Sequence, residues 1–202
     1  MSGAFEPVFF PRLERQGSYP LRSDGEHFSY SYYREHIAAD CQHRCVYCDA
    51  HANEVGGSEA MQLDHFRPES FEEFVALINE PLNLHYACGR CNLLKSNHWP
   101  ARCTDGTHNG RDGFIDPFVE DRLHYFKMAT NGEISALKSP ARYMIRLLRL
   151  DREFLRKLRQ IRQLRERLRE KVAAIRACLK MGEIPDVAEL DDTFAAVEAL
   201  LG

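Results

Sequence analysis

Leu63-Asp64-His65-Phe66-Arg67-Pro68 lies between two close cysteine pairs, Cys45-Val46-Tyr47-Cys48 and Cys88-Gly89-Arg90-Cys91. The second pair runs straight into Asn92 and, three residues on, Lys95. Paired thiolates at this spacing can place two sulfurs about 2.3 Å from one Zn2+, and two pairs close a tetrahedron. The 39 residues between the pairs leave room for a strand and a helix. So small a unit buries little core, and a bound ion would supply much of its folding free energy. Seven cysteines are an odd number, which in a reducing compartment favours metal over disulfides. Cys41, Cys103 and Cys178 are left over and read as buried or bystander thiols.

At 202 residues and 44% hydrophobic content the chain can bury one good core with a small appendage. No apolar run approaches the roughly 20 residues of a membrane helix. The start, Met1-Ser2-Gly3-Ala4-Phe5-Glu6, lacks the basic and apolar regions of a secretory signal, so a cytoplasmic protein away from membranes is expected. The formal charge of −3 conceals an asymmetry: residues 138–180 carry 15 Lys/Arg against 4 Asp/Glu, and residues 181–202 carry 6 acids and no base. A basic block on an otherwise acidic chain suggests a polyanion partner, and an arginine-rich solvated helix face is the plainer alternative.

Four regions are expected. Residues 1–40 form an arm and an entry helix, the helix from His27 to Asp40. Residues 41–100 form a stapled core, 101–137 a loop with short strands, and 138–202 a helical C-terminal part. Within the core, Met61 to Phe66 reads as a strand and residues 70–79 as a helix capped by Ser70, with a further helix from about Leu82 to Ser96. Residues 104–113 are turn-rich and read as loop. Strands are expected at Leu123–Met128 and Ile134–Leu137 around an Asn131-Gly132 turn. Ser139-Pro140 then opens a long amphipathic helix. Its stripe runs Leu147, Leu150, Phe154, Leu158, Ile161, Leu164, Leu168, Val172, Ile175 and Leu179, with an interruption near Asp151. Gly182 and Pro185 close the helix, and the acidic tail ends in a short helix.

An adjacent carboxylate and imidazole at a strand end can divide two tasks, one binding a hard cation and the other facing a nucleophile. The run Cys-x-x-Cys, Asp-His-Phe-x-Pro, Asn-Leu, Cys-x-x-Cys-Asn, Lys over residues 45–95 resembles the HNH endonuclease family. Ile115-Asp116-Pro117 and His124-Tyr125-Phe126 extend a weaker likeness, to about residue 165, to small bacterial members found beside an ATPase in Septu-type and retron-linked anti-phage systems. The resemblance implies an α+β protein with a ββα-metal core, a structural zinc held by the four cysteines Cys45, Cys48, Cys88 and Cys91, and a mostly helical C-terminal part. It further implies His65 as general base on a water, and Asp64 and Asn92 as ligands of one catalytic Mg2+ or Mn2+. Asn83 would orient His65 through backbone hydrogen bonds. Arg67 and Lys95 lie close enough in sequence to reach phosphate oxygens of DNA, or could equally be exposed cations. His85, His98 and His124 read as structural or surface histidines. The helix over 138–180 would add phosphate contacts, dock a partner such as the ATPase, or self-associate.

Two other readings compete. Cys41-x-x-x-Cys45-x-Tyr47-Cys48 has the spacing of a radical-SAM iron-sulfur motif, but the alternating strands and helices of that fold are missing, and Cys88 and Cys91 would have no task. A non-catalytic zinc-stapled nucleic-acid-binding or adaptor module explains the cysteines and the basic helix. It gives no reason for Asp64-His65 together with Asn83 and Asn92.

Overall fold

The run expected as a strand forms β1 over Met61–His65, pairing antiparallel with β2 over Leu84–Cys88, from Met61 opposite Cys88 to His65 opposite Leu84. The computed structural model describes residues 9–100, 106–182, 188, 191–195 and 198. β2 corrects the expected helix from Leu82: Leu84 to Cys88 is extended, and helix α2 occupies only Gly89–Lys95. The reason is burial. All five residues of β2 are buried, so the strand shows no apolar-polar alternation, and a short buried run cannot be told from a helix by periodicity. Residues 70–79 also differ, giving a 3-10 turn over Glu72–Leu77 with no side-chain cap. Its last carbonyls are held from outside: Asn83 Nδ2 lies 3.4 Å from the Leu77 oxygen, and His65 Nε2 lies 2.9 Å from that of Ile78.

The entry segment is a 3-10 turn over Tyr30–Tyr33 running into α1, Arg34–Asp40, which packs on β2. A second antiparallel pair, β3 (Phe126–Met128) with β4 (Ile134–Ala136), closes around the expected Asn131-Gly132 turn, while Arg122–His124 is a 3-10 turn rather than strand. An aromatic group joins the pieces: Trp99 stacks on Phe114 at 6.1 Å and meets Phe66 and Phe74 edge-on. The fold is mixed α and β, with two small two-stranded sheets and a long C-terminal helix. Among the described residues no helix is long and apolar enough to cross a membrane.

The C-terminal helix breaks as expected near Asp151, into α3 (Ala141–Leu148) and α4 (Glu153–Met181). The break sits at Arg149, whose φ of 51° ends α3, and no side chain caps α4. Gly182 closes α4 in the left-handed conformation. The expectations for Pro185, Cys103 and residues 104–105 lie outside the described residues, as does most of the acidic tail, of which residues 191–195 are helical. The expected apolar stripe is only partly the buried one. Phe154 and Ile161 are exposed, and the face turned inward is Leu155, Arg159 and Arg162, with Leu158 beside them. Arg159 donates to the carbonyl of Gly132 at 2.8 Å and to that of Leu150. Arg162 donates to Asp49 Oδ2 at 2.7 Å and to both oxygens of Glu54. Two of the helix's cations are thus structural, and the tie to Asp49 and Glu54 fastens α4 to the first cysteine loop.

Gly132 is fixed by this docking. Its φ is +76°, and a Cβ there would fall 2.2 Å from the Arg156 carbonyl oxygen of α4. We expect Gly132→Ala to destabilise the protein by about 1–3 kcal/mol through forced left-handed backbone and displacement of α4. Urea unfolding would measure it, and an unchanged midpoint would show that the hairpin and α4 do not meet as described.

Candidate functional site

The two cysteine pairs converge although 39 residues separate them. Cys45 and Cys48 lie on a tight loop closed by Cys45 N donating to Ala50 O and Asp49 N to Cys45 O, both at 2.8 Å, with Asp49 in the left-handed region. Val46 N donates to Tyr86 O at 3.0 Å, which ties this loop to β2. Cys88 ends β2 and precedes the first turn of α2, which carries Cys91. The four Sγ atoms lie within 4.8 Å of one another and all four residues are buried. Cys48 and Cys88 sulfurs are 3.8 Å apart. Four sulfurs about 2.3 Å from a common centre at tetrahedral angles stand about 3.8 Å apart, so the spacing fits one zinc-sized ion and excludes a disulfide. Four buried sulfurs this close have no other shared partner among the described residues, and a cation would offset the charge of their thiolates. The residues therefore fit a metal such as zinc. Arg152, at the start of α4, points a guanidinium at Cys91 Sγ from 3.7 Å, offsetting the negative charge of a thiolate cluster.

Cys41 stands outside this group. It is buried in the core and burial pushes its thiol up to about 12, so it is protonated. The three cysteines of the iron-sulfur spacing are therefore not brought together; Cys45 and Cys48 belong with Cys88 and Cys91 instead.

β1 and α2 place Asp64, His65 and Asn92 around one open pocket of about 330 Å³, which Tyr30 and Glu69 also line. Larger hollows of about 480 Å³ lie elsewhere and gather none of these three. His65 is held on two sides. Its Nε2 is 2.9 Å from the Ile78 carbonyl oxygen, and since a carbonyl only accepts, Nε2 carries a proton, so in the neutral ring Nδ1 is the nitrogen with the lone pair. Nδ1 lies 3.5 Å from a carboxylate oxygen of Glu69, and the Tyr30 ring meets the imidazole at 5.0 Å between centroids. Asn83 is buried and spans the turn after His65: its Oδ1 accepts from Arg67 N at 2.9 Å, and its Nδ2 donates to Arg67 O at 3.1 Å. Its longer contact to Leu77 O steadies the segment whose next carbonyl holds His65. Asn92 donates Nδ2 to Gln62 Oε1 at 2.8 Å, which leaves its own amide oxygen without that tie.

Asp64 and Lys95 differ from expectation. Lys95 is fully buried, with Nζ 3.0 Å from Asp64 Oδ1 and 2.8 Å from the His65 carbonyl oxygen. An ammonium so enclosed does not reach a substrate phosphate, and this corrects the phosphate-contact role expected for Lys95. Tyr47 donates its hydroxyl to Asp64 Oδ2. Burial raises the Asp64 carboxyl and lowers the Lys95 ammonium, in both cases against the attraction between them. Arg67 sets its guanidinium 5.5 Å from the ring centres of both Phe74 and Trp99. His85 is fully buried, stacked on Phe66 at 4.3 Å, and burial holds it well below its usual range. His98 and His124 are exposed.

Sequence reasoning did not single out Glu69, Tyr47 or the Ile78 carbonyl. Glu69 follows His65 by four residues and could have been found by that spacing; the other two are revealed only by the fold. Among the described residues the four cysteines are the only group of three or more His, Cys, Asp or Glu side chains able to share an ion. No family model matches the chain. The search of curated proteins finds no match either.

Proposed function

We propose that this chain is a divalent-metal-dependent nuclease of the HNH type, hydrolysing phosphodiester bonds in DNA, with zinc held by Cys45, Cys48, Cys88 and Cys91 as its structural ion. The observation that carries the reading is the state of His65. The Ile78 carbonyl accepts a hydrogen bond from Nε2–H, so in the neutral ring Nδ1 is the basic nitrogen, beside Glu69 at an open pocket. His65 Nδ1 accepts a proton from water as the water oxygen attacks phosphorus and the bond to the leaving oxygen breaks. Glu69 then faces an imidazolium and stabilises its charge. Asn83 keeps the imidazole aimed by fixing Arg67, two residues beyond it, and Leu77, which precedes the Ile78 carbonyl that holds it.

Asp64 and Asn92 are the residues that would hold the catalytic ion. Tyr47 and Lys95 use two of the roughly four lone-pair positions of the Asp64 carboxylate, and Asn92 keeps its amide oxygen. Two protein oxygens suit Mg2+, which normally retains water and substrate oxygens as its other ligands. Such an ion supplies charge stabilisation on the phosphate as the leaving oxygen departs.

One observation favours the non-catalytic, zinc-stapled binding or adaptor module: Lys95 already neutralises the carboxylate that the ion would need. A cleavage assay on supercoiled DNA with Mg2+ or Mn2+ separates the two. We expect His65→Ala to lower the rate by about 10²–10⁴-fold with zinc content unchanged. Equal DNA binding by wild type and variant with no cutting by either would establish the binding module instead.

A further inference from the structure

The cleft between the 106–113 loop and α3 gathers cations that the pocket around His65 does not use. We propose that it is a second phosphate-binding surface, seating the backbone of the nucleic acid strand at a distance from the site of cleavage. In calling the ligand nucleic acid, the proposal rests on the nuclease reading above. The hollow measures about 450 Å³ and is lined by Arg111, Lys138, Arg142 and Arg146, with Asp112 as its one acid. Three segments of chain deliver these side chains: the loop, the link after β4, and the exposed side of α3. Arg111, Arg142 and Arg146 are exposed and form no ion pair or side-chain hydrogen bond with the described residues. Lys138 lies over the Tyr125 ring, 4.1 Å from its centre, which orients the ammonium without neutralising it.

The arrangement works against stability when empty. Arg142 and Arg146 are four residues apart on one helix, so like charges are stacked at the spacing where they repel. The other arginines of this half divide: Arg159 and Arg162 are buried against carbonyls and carboxylates and Arg156 pairs with Glu153 at 2.7 Å, while Arg149, Arg165, Arg167 and Arg176 are exposed and form no ion pair with the described residues. What sets the cleft apart is convergence: its cations come from three segments of chain and line one hollow. The loop is also set rather than slack. Asn109 Oδ1 accepts from the backbone of Arg111 and Asp112, and His108 bridges to Gly113 across the turn. At Gly113 (φ +137°) a Cβ would fall 2.4 Å from the His108 Cα, so the tight turn that presents Arg111 needs glycine. Convergent guanidiniums on fixed backbone match phosphate oxygens, which arginine can take two at a time.

The test is fluorescence anisotropy of the full chain on a short DNA duplex over a series of salt concentrations, without added Mg2+ or Mn2+. Wild type is compared with the double variant Arg142→Gln/Arg146→Gln, both exposed positions, with thermal melting to establish that the fold is kept. Each phosphate contact removed lowers the slope of log affinity on log salt by about 0.9. The double variant is expected to lose about 2 from that slope and to bind more weakly at low salt. An unchanged slope and affinity would overturn the proposal. Plasmid cleavage measured in parallel keeps the two readings apart. Wild-type cutting with an unchanged slope removes this surface and leaves the nuclease standing; a reduced slope with no cutting by either protein does the reverse.

Discussion

Treatment of the purified protein with a strong chelator is expected to remove about one zinc per chain and to abolish the cooperative thermal transition at its original temperature. Structural zinc bound by thiolates contributes on the order of 10–16 kcal/mol of binding free energy, as large as the whole stability of an ordinary domain. Here the ion's ligands would come from the loop before β1 and from the β2–α2 junction, so its loss would release the Met61–Cys88 end of the sheet that carries Asp64 and His65, together with the loop tied to Tyr86. The damage should also spread to α4. Arg152 faces Cys91, and Arg162 binds Asp49 and Glu54 just beyond the first cysteine loop, so without the ion the loop that anchors α4 is no longer fixed. Far-UV circular dichroism should therefore report lost helix as well as lost tertiary structure, and Cys91→Ser should reproduce the effect. Protein that elemental analysis finds metal-free but that melts at its original temperature would overturn this account.

How much of this was legible follows from where each partner lies. The cysteine pairs could be read because each is local, and their convergence follows from the valence of one ion. β1 and the β3–β4 turn were legible because glycine and asparagine punctuate them. β2 was not, because a strand buried on both faces carries no period. The burial of Lys95, Arg159 and Arg162 is not legible, because lysine and arginine are seldom buried unpaired and their partners lie far away in sequence: Asp64 for Lys95, Gly132 for Arg159, and Asp49 and Glu54 for Arg162. The site was half legible. Asp64-His65 announced it, but the tautomer of His65 depends on a main-chain oxygen, and no side-chain motif encodes that.

Lys95→Met is expected to destabilise the protein by about 3–5 kcal/mol, because it strands the Asp64 carboxylate in the interior beside Tyr47. At about 2–4 °C for each kcal/mol in a chain of this size, the melting temperature should fall by about 6–20 °C. The companion variant, Lys95→Met/Asp64→Asn, removes both charges and should recover much of the loss, since a buried pair differs little from a neutral pair of similar shape. A double variant as unstable as the sum of the single ones would mean that the two groups do not interact. The same pair of variants also decides what Asp64 is for. If the carboxylate serves only to hold Lys95 and Tyr47, the stabilised double variant should cut DNA as well as wild type. If Asp64 is an ion ligand, the double variant should remain folded yet need far more Mg2+ or Mn2+ for any cleavage. Lys95→Met alone, with the ammonium gone and the carboxylate free, should then need less. A carboxylate can answer to the ammonium or to a divalent ion with full strength only one at a time, so if Asp64 is an ion ligand, Lys95 would set how readily the pocket takes up metal.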